Sequence, residues 1–223
     1  QTREVKLKNI GETALNVKIA VVGIPTVVGV NVNEITIKPG EEKNIILSFS
    51  APESGIHAGR VVFEANGIRR DVFVLVNVRS VGTLFDTSLT VPEESREILP
   101  DEVLKIFVSI LPIQQTGVDV TVNYLIKDFD GNTLFFDSET LFISEQKSYT
   151  KEFYDLGLRA GNYVVGVEVI YSEGFATASA RFNVFEEQKP SNIKLIIIAA
   201  LIIVLLSILF ALLRYKKSRR LKM

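Results

Sequence analysis

The chain has 223 residues, contains no cysteine and no tryptophan, and carries a net charge of −1 from 25 basic and 26 acidic residues. Without a thiolate, the sequence excludes zinc fingers, thiol nucleophiles, iron–sulfur clusters and the disulfide–tryptophan core of antibody domains. Residues 1–192 carry all 26 acidic but only 18 basic residues, and this acidic balance argues against nucleic-acid binding.

Residues 1–80 are predicted to form a β-sandwich, called module 1 below. Stretches of alternating apolar and polar residues, separated by turn residues, predict strands at residues 5–8, 15–22, 35–37, 43–50, 60–65 and 68–78. Asn66 and Gly67, between the last two strands, form a strong hairpin signal. Because the sequence opens inside a strand, we expect module 1 to lack its first strand and residues 3–9 to invite strand addition.

Residues 82–186 are predicted to form a second, seven-stranded immunoglobulin-like sandwich, called module 2. The predicted strands are 85–91, 103–110, 118–127, 133–143, 147–154, 162–171 and 175–185. Short strands at such regular spacing indicate a sandwich rather than strand–helix–strand units. The linker between the modules, residues 81–83, is short, and it predicts two modules placed end to end with restricted bending.

Tyr163 follows Gly161 at the start of a long strand in module 2, and the sequence allows two interpretations of its role. It occupies the position of a tyrosine corner, whose hydroxyl hydrogen-bonds to the backbone a few residues upstream. The alternative is an ordinary half-buried strand tyrosine.

The last predicted element crosses a membrane. Residues 187–192 are predicted to be a polar juxtamembrane linker, 193–213 a transmembrane helix and 214–223 a basic cytoplasmic tail. From Leu195 to Leu213 there is no charged residue, and a helix of that length spans the roughly 30 Å apolar layer of a bilayer. Basic residues stay on the cytoplasmic side, so residues before Leu195 are expected outside. The predicted anchoring cations are Arg214, Lys216, Lys217, Arg219 and Arg220.

Residues that suggest chemistry are few. His57 is the sole histidine, has small neighbours, and is interpreted as a solvated loop residue rather than a catalytic base. Asp128, Asp130 and Asn132 fall at the first, third and fifth positions of a calcium loop, and Glu139 falls at the twelfth. The sixth position is Thr133 instead of glycine, so a hairpin turn is the favoured interpretation. We predict no catalytic residue, no cofactor and no small-molecule substrate.

Module 1 resembles the β-sandwich repeats of archaeal and bacterial surface proteins, including the NPCBM-associated, alpha-galactosidase-type domain and its S-layer-associated relatives. The residues that carry this resemblance are 5–13, 35–41 and the strand that follows Gly59. Module 2 resembles macroglobulin-type or fibronectin-like sandwiches, from residues 128–132 and 161–163. The resemblance implies cell-surface architecture rather than one particular activity, and the isoleucine-rich strands and anchor favour an archaeal source.

Together these patterns predict a single-pass cell-surface protein that acts in adhesion, spacing or envelope assembly. Its expected partners are membrane lipid and other surface or membrane proteins, with the edge strands of module 1 as the contact surface. Two alternatives stay open: the C-terminal stalk of a larger ectoenzyme, and an accessory subunit of a membrane complex.

Overall fold

A computed structural model describes residues 1–50, 53–113, 117–172 and 174–186, and these residues form β-strands, turns and one helical turn. Within those ranges there is no helix long and apolar enough to cross a membrane. The predicted linker 187–192, spanning helix 193–213 and tail 214–223 all lie outside the described residues, as do the predicted anchoring residues from Leu195 to Arg220.

The described residues of module 1 form seven strands in two antiparallel sheets. The strands are β1 (Thr2–Lys8), β2 (Leu15–Val22), β3 (Val28–Val30), β4 (Glu34–Ile37), β5 (Glu42–Phe49), β6 (Gly55–Ala65) and β7 (Ile68–Val78). One sheet has the order β1-β5-β3 and the other β4-β2-β6-β7. The sequence pattern missed β3, because three residues are too few to establish a period. The alternating apolar residues of the longer strands meet between the sheets, where Ile45 and Val61 are fully buried.

The hairpin between β6 and β7 has the turn that its sequence predicts. Asn66 and Gly67 have φ angles of 50° and 75°, and Ala65 pairs directly with Ile68. Two successive residues with positive φ match the twist of the flanking strands, and asparagine followed by glycine tolerates this conformation best. The turn sets the register of both strands over their full length.

A buried asparagine closes the corner between β1 and β2. Asn9 is 1% exposed; its side-chain amide donates to the carbonyls of Thr13 and Ile37, and its Oδ1 accepts from the amide of Gly11. Every polar atom of the side chain is therefore paired, which removes the usual cost of burying an amide. This corner fixes the C-terminal end of β1 against the neighbouring sheet.

Module 2 contains eight strands in its described residues, one more than the sequence predicted. They are β8 (Phe85–Thr90), β9 (Glu97–Ile98), β10 (Leu104–Pro112), β11 (Val118–Asp128), β12 (Thr133–Ile143), β13 (Lys147–Phe153), β14 (Gly161–Tyr171) and β15 (Gly174–Val184), with the helical turn α1 (Glu93–Arg96) before β9. The sheets have the orders β13-β10-β8 and β12-β11-β14-β15-β9. The extra strand, β9, has only two residues and pairs parallel with β15, so its own sequence carries no period to detect.

The core of module 2 follows the period-two pattern of its strands. Leu104, Ile106, Val108 and Ile110, at alternate positions of β10, are all 0% exposed. Alternate residues of β11 and β14 complete the same core from the opposite sheet. The remaining residues of β11 and β14 therefore lie on the outer face of that sheet.

The two modules do not sit end to end as the short linker predicted. Residues 1–186 form one compact unit, and β6 and β7 of module 1 contact β14 and β15 of module 2. The contact joins the outer faces of the two larger sheets, because buried residues of β6 and β14 that point away from their own cores meet in a shared apolar cluster. The linker permits this arrangement, but the side chains of both sheets determine it.

Candidate interaction surfaces

The interface between the modules has an apolar centre. Its buried members come from β6, β11, the following turn, and β14: Ile56, Ala58, Leu125, Phe129 and Val164. On β6 the side chains of Val61 and Phe63 point into the core of module 1, so the even-numbered residues of the strand point outward. The structure thus buries both faces of β6. In an isolated module the outer face of this sheet would be exposed to solvent.

Glycines allow the two backbones to approach closely. A Cβ atom on Gly166 would overlap Ile56 Cδ1, so the missing side chain in β14 forms the socket for that isoleucine. Gly131, with φ of 94°, lies against Gly23, and a Cβ atom there would stand 2.6 Å from the Gly23 carbonyl oxygen. Backbone atoms cannot rotate away as a side chain can. These sites make the fit between the modules sensitive to a single added methyl group.

Arg60 forms ion pairs on both sides of the interface. Its Nη1 donates to Asp71 Oδ2 of β7 at 3.0 Å, and its Nη2 donates to Asp130 of module 2. Beside it, Phe73 of module 1 and Phe129 of module 2 have ring centroids 4.6 Å apart. The guanidinium therefore joins carboxylates of both modules while the aromatic pair covers one side of the contact.

Asp71 is the most constrained acid of this cluster. Hydrogen bonds from the Arg69 side chain, together with the charges of Arg69 and Arg60, hold its pKa below the ordinary aspartate value of 3.8. Its side chain is 19% exposed. A lowered pKa means that the ionised form stabilises the folded state above the unfolded value, and that this stabilisation disappears as the pH falls through the folded value.

We expect Asp71→Asn to lower the free energy of unfolding by about 1 kcal/mol at pH 7, the upper range for partly exposed ion pairs. Because the stabilisation is lost on protonation, the difference between the two proteins should start to shrink as the pH falls below the ordinary aspartate pKa of 3.8 and should vanish only below the lower pKa of the folded state. Urea unfolding at pH 7, 5 and 3 measures this. Asp86→Asn, at an exposed position of β8, is the matched control and should change the free energy of unfolding at pH 7 by less than about 0.5 kcal/mol. A constant difference at all three pH values would contradict the ion-pair assignment.

The predicted calcium candidates form a turn between β11 and β12. Asp128 Oδ1 accepts from the amides of Asp130 and Asn132 at 2.9 and 2.8 Å, and Asp128 Oδ2 accepts from the Asn132 side chain at 2.8 Å. Asp130 instead faces Arg60. Glu139 lies within β12, where it accepts a hydrogen bond from the Tyr124 hydroxyl. The described residues hold no cluster of three or more acidic or histidine side chains suited to a metal ion.

The other residues that the sequence analysis singled out make structural contacts. The Tyr163 hydroxyl donates to the carbonyl of Arg159 at 2.7 Å, the hydrogen bond that defines a tyrosine corner, and Gly161 begins β14 beside its ring. His57 lies within strand β6 rather than in a loop, with a ring nitrogen 3.1 Å from the Glu53 carbonyl oxygen. The loop interpretation was wrong because β6 already begins at Gly55.

A second surface is the open edge of module 1, the side formed by β1 and β7. These strands end their respective sheets, since β1 pairs only with β5 and β7 only with β6 among the described residues. Two cavities lie along this side, one of about 470 Å³ near Val5 and Val74 and one of about 300 Å³ near Leu7 and Arg70. Their walls are mostly apolar, so the core of module 1 is incompletely covered here.

Sequence reasoning did not identify the interface residues Arg60, Phe73 and Phe129. One signal was present: the face of β6 opposite Val61 and Phe63 carries Ile56 and Ala58, where a half-exposed strand would place polar residues. That pattern shows that both faces are covered. The pattern does not identify the covering surface, because any apolar sheet face could cover the strand.

Comparison with known proteins adds fold likeness only. No family model and no curated protein sequence matches the chain. Among solved structures, a CARDB domain from Pyrococcus furiosus is 15% identical with a TM-score of 0.34, over 45% of this chain and 87% of that domain. The CupB2 chaperone of Pseudomonas aeruginosa is 10% identical with a TM-score of 0.33, over 81% of this chain and 91% of that one.

A transglutaminase of red sea bream is 11% identical with a TM-score of 0.36, covering 83% of this chain and 29% of its own length. At these values the likenesses carry no inference about activity, substrate or partner. The all-β architecture of the described residues is compatible with immunoglobulin-like modules.

Proposed function

We propose that the chain is a single-pass cell-surface protein of an archaeal or bacterial envelope, with S-layer-associated relatives, whose two modules act outside the cell in adhesion, spacing or envelope assembly. The observation that carries this proposal is the uncharged run 195–213 followed by six basic and no acidic residues. Such a run matches the thickness of a bilayer, and the basic tail orients it with the C-terminus in the cytoplasm.

The joined modules support a spacing or assembly role over a catalytic one. A spacer keeps its two ends at a fixed separation only if its parts have a fixed geometry. The apolar cluster and Arg60 hold module 1 against module 2. An assembly role needs a surface that can pair with other proteins. Among the described residues, β1 and β7 have no neighbouring strand on one side, and such an edge with apolar walls supports this role.

The proposal is tested by expressing the full chain behind an export signal in a prokaryotic host. We expect the protein to remain in the membrane pellet after alkaline carbonate and to enter solution only with detergent. Protease added to intact cells should remove residues 1–186 and spare a tag placed after Met223. A matched variant that lacks residues 193–223 should be released as a soluble, monodisperse protein. Recovery of the full chain in the soluble fraction, or protection of the modules from protease, would contradict the proposal.

A further inference from the structure

A polar cleft opens beside the apolar cluster that joins the two modules. The cleft has a volume of about 450 Å³ and lies between β7 of module 1 and, in module 2, the helical turn α1 with the neighbouring ends of β9, β14 and β15. Val164 of the apolar cluster pairs across the strands with Arg181, which lines the cleft, so the cleft begins where the cluster ends. A cavity of this size at a contact between domains is typical of a small-molecule site.

The outward side chains of β15 show where the contact between the modules stops. Thr177 and Ser179 donate hydrogen bonds to groups of β7 at 3.4 and 2.8 Å. The next two outward residues, Arg181 and Asn183, line the cleft, and their side chains make no hydrogen bond or ion pair with the described residues. The fold therefore directs the first pair of polar side chains to module 1 and the second pair to the cleft.

The floor of the cleft is a row of polar side chains that crosses three strands. Asn162 of β14 pairs with Asn183 of β15, and Asn183 pairs with Glu97 of β9. Their neighbours along each strand are buried in the core of module 2, so these three side chains and that of Arg181 point to the outer face. None of the four has a side-chain hydrogen bond or ion pair within the part of the chain that the structure describes. All four are therefore available to a ligand.

The walls of the cleft add an aromatic surface and balance its charge. Phe73 of β7 packs against Phe129 of the turn after β11, and the Phe73 side chain is still 37% exposed. The helical turn α1 contributes an arginine and a glutamate that form an ion pair at 2.9 Å. Together with Arg181 and Glu97 of the floor, the lining carries two positive and two negative side chains. Its formal charge is therefore zero.

These groups favour an uncharged ligand that carries several hydroxyl groups. A strongly charged ligand would be attracted by one pair of side chains and repelled by the other. The two amides of the floor donate and accept hydrogen bonds, whereas Arg181 only donates and Glu97 only accepts. A hydroxyl group does both and can pair with each of them. A sugar ring also has an apolar face of C–H groups, which fits the exposed ring of Phe73.

We propose that the cleft between the modules binds a short neutral saccharide, whose hydroxyl groups pair with the floor and whose C–H face lies on Phe73. The site goes beyond the proposed function and does not depend on the membrane anchor, because all of its residues lie within 1–186. Both modules supply part of the lining, so the fixed contact between them completes the site. The affinity is modest, because the polar groups of the floor exchange hydrogen bonds with water for hydrogen bonds with the ligand.

The test uses the full chain in a polyoxyethylene detergent, because a detergent with a sugar headgroup would compete for the cleft. The probes are maltotriose, cellotriose, mannotriose and triacetylchitotriose, and binding is measured by saturation-transfer difference NMR. We expect saturable binding of at least one probe, with a dissociation constant of about 0.1–1 mM. Because the ligand is neutral, the dissociation constant should change less than about twofold between about 50 and 500 mM salt. Trigalacturonate, which is charged, should bind no more tightly than the neutral probe.

Two substitutions in the floor locate the site. Asn162→Ala and Asn183→Ala should each weaken binding about fivefold, the effect of one or two lost hydrogen bonds. Asn123→Ala is the matched control, because Asn123 is also an outward asparagine of the larger sheet of module 2 but lies outside the cleft. It should stay within about twofold of the parent chain. Unchanged circular dichroism shows that each variant is folded.

Three results would overturn the assignment: no saturable binding of any of the four neutral probes, equal affinity of the Asn183→Ala and Asn123→Ala variants, or binding that added salt weakens about tenfold. Tighter binding of trigalacturonate would show that the cleft selects an anion and would likewise overturn it. Failure of every saccharide to bind leaves the protease and fractionation results untouched, so the ligand and the membrane topology are tested separately.

Discussion

Replacing Gly131 by alanine is expected to destabilise residues 1–186 by about 3 kcal/mol. Roughly 1–2 kcal/mol comes from placing a side chain at a positive φ, here 94°. A further 1–3 kcal/mol comes from overpacking, because the new Cβ atom would stand 2.6 Å from the carbonyl oxygen of Gly23 and 2.8 Å from its Cα atom. Urea unfolding followed by circular dichroism measures the change.

Gly67→Ala is the matched control for that substitution. Gly67 also lies in a hairpin turn with positive φ, 75°, but nothing stands within 4 Å of a Cβ atom there. It should therefore lose only the backbone contribution, about 1–2 kcal/mol. The difference between the two variants isolates the contact between the modules. Equal losses would show that Gly23 and Gly131 do not touch in solution.

Ile56→Ala is expected to cost about 3 kcal/mol and to loosen the modules from each other. Ile56 is 2% exposed and fills the socket left by Gly166 in module 2, so truncation opens a cavity at the centre of the interface. Its amide also donates to Glu168 Oε1 at 3.3 Å, a contact that the substitution leaves in place. The loss should therefore come from packing alone.

Ile68→Ala provides the comparison, because Ile68 lies in the same module but is 61% exposed. It should change the free energy of unfolding by less than about 0.5 kcal/mol. A second measurement is proteolysis near the exposed Val81, which should become faster in Ile56→Ala and stay unchanged in Ile68→Ala. If the linker were cleaved equally fast in both, Ile56 would not hold the modules together.

A fixed pair of modules bears directly on the proposed spacing or assembly role. Two freely jointed sandwiches would let module 1 sample many directions relative to module 2. The Arg60 contacts and the apolar cluster hold module 1 in a single orientation. Strands β1 and β7 therefore keep a constant position relative to β15, the last strand of module 2. In the proposed role, this constancy would lower the entropy lost when a partner binds.

Residue-level patterns in the sequence were sufficient to locate most of the strands. The period-two runs that became β2, β5, β7, β11 and β12 are long enough for alternation to be read directly, and Asn66-Gly67 determines its own turn. The sequence also narrowed Tyr163 to two roles, and the hydrogen bond to Arg159 matches one of them. These features are local, because they depend on neighbouring residues and on backbone geometry alone.

The short strands and the contacts between the modules could be identified only from the tertiary structure. Two-residue β9 exists only because β15 offers an edge to pair with, and three-residue β3 because β5 does. The sequence favoured a hairpin turn at Asp130 and left calcium binding as the weaker alternative, and the fold brings this residue to Arg60, seventy positions away. The sequence alone thus determined the alternation, the turns and the charge balance of this protein. Which outer faces meet was decided by long-range packing, because apolar faces specify burial but not the surface that buries them.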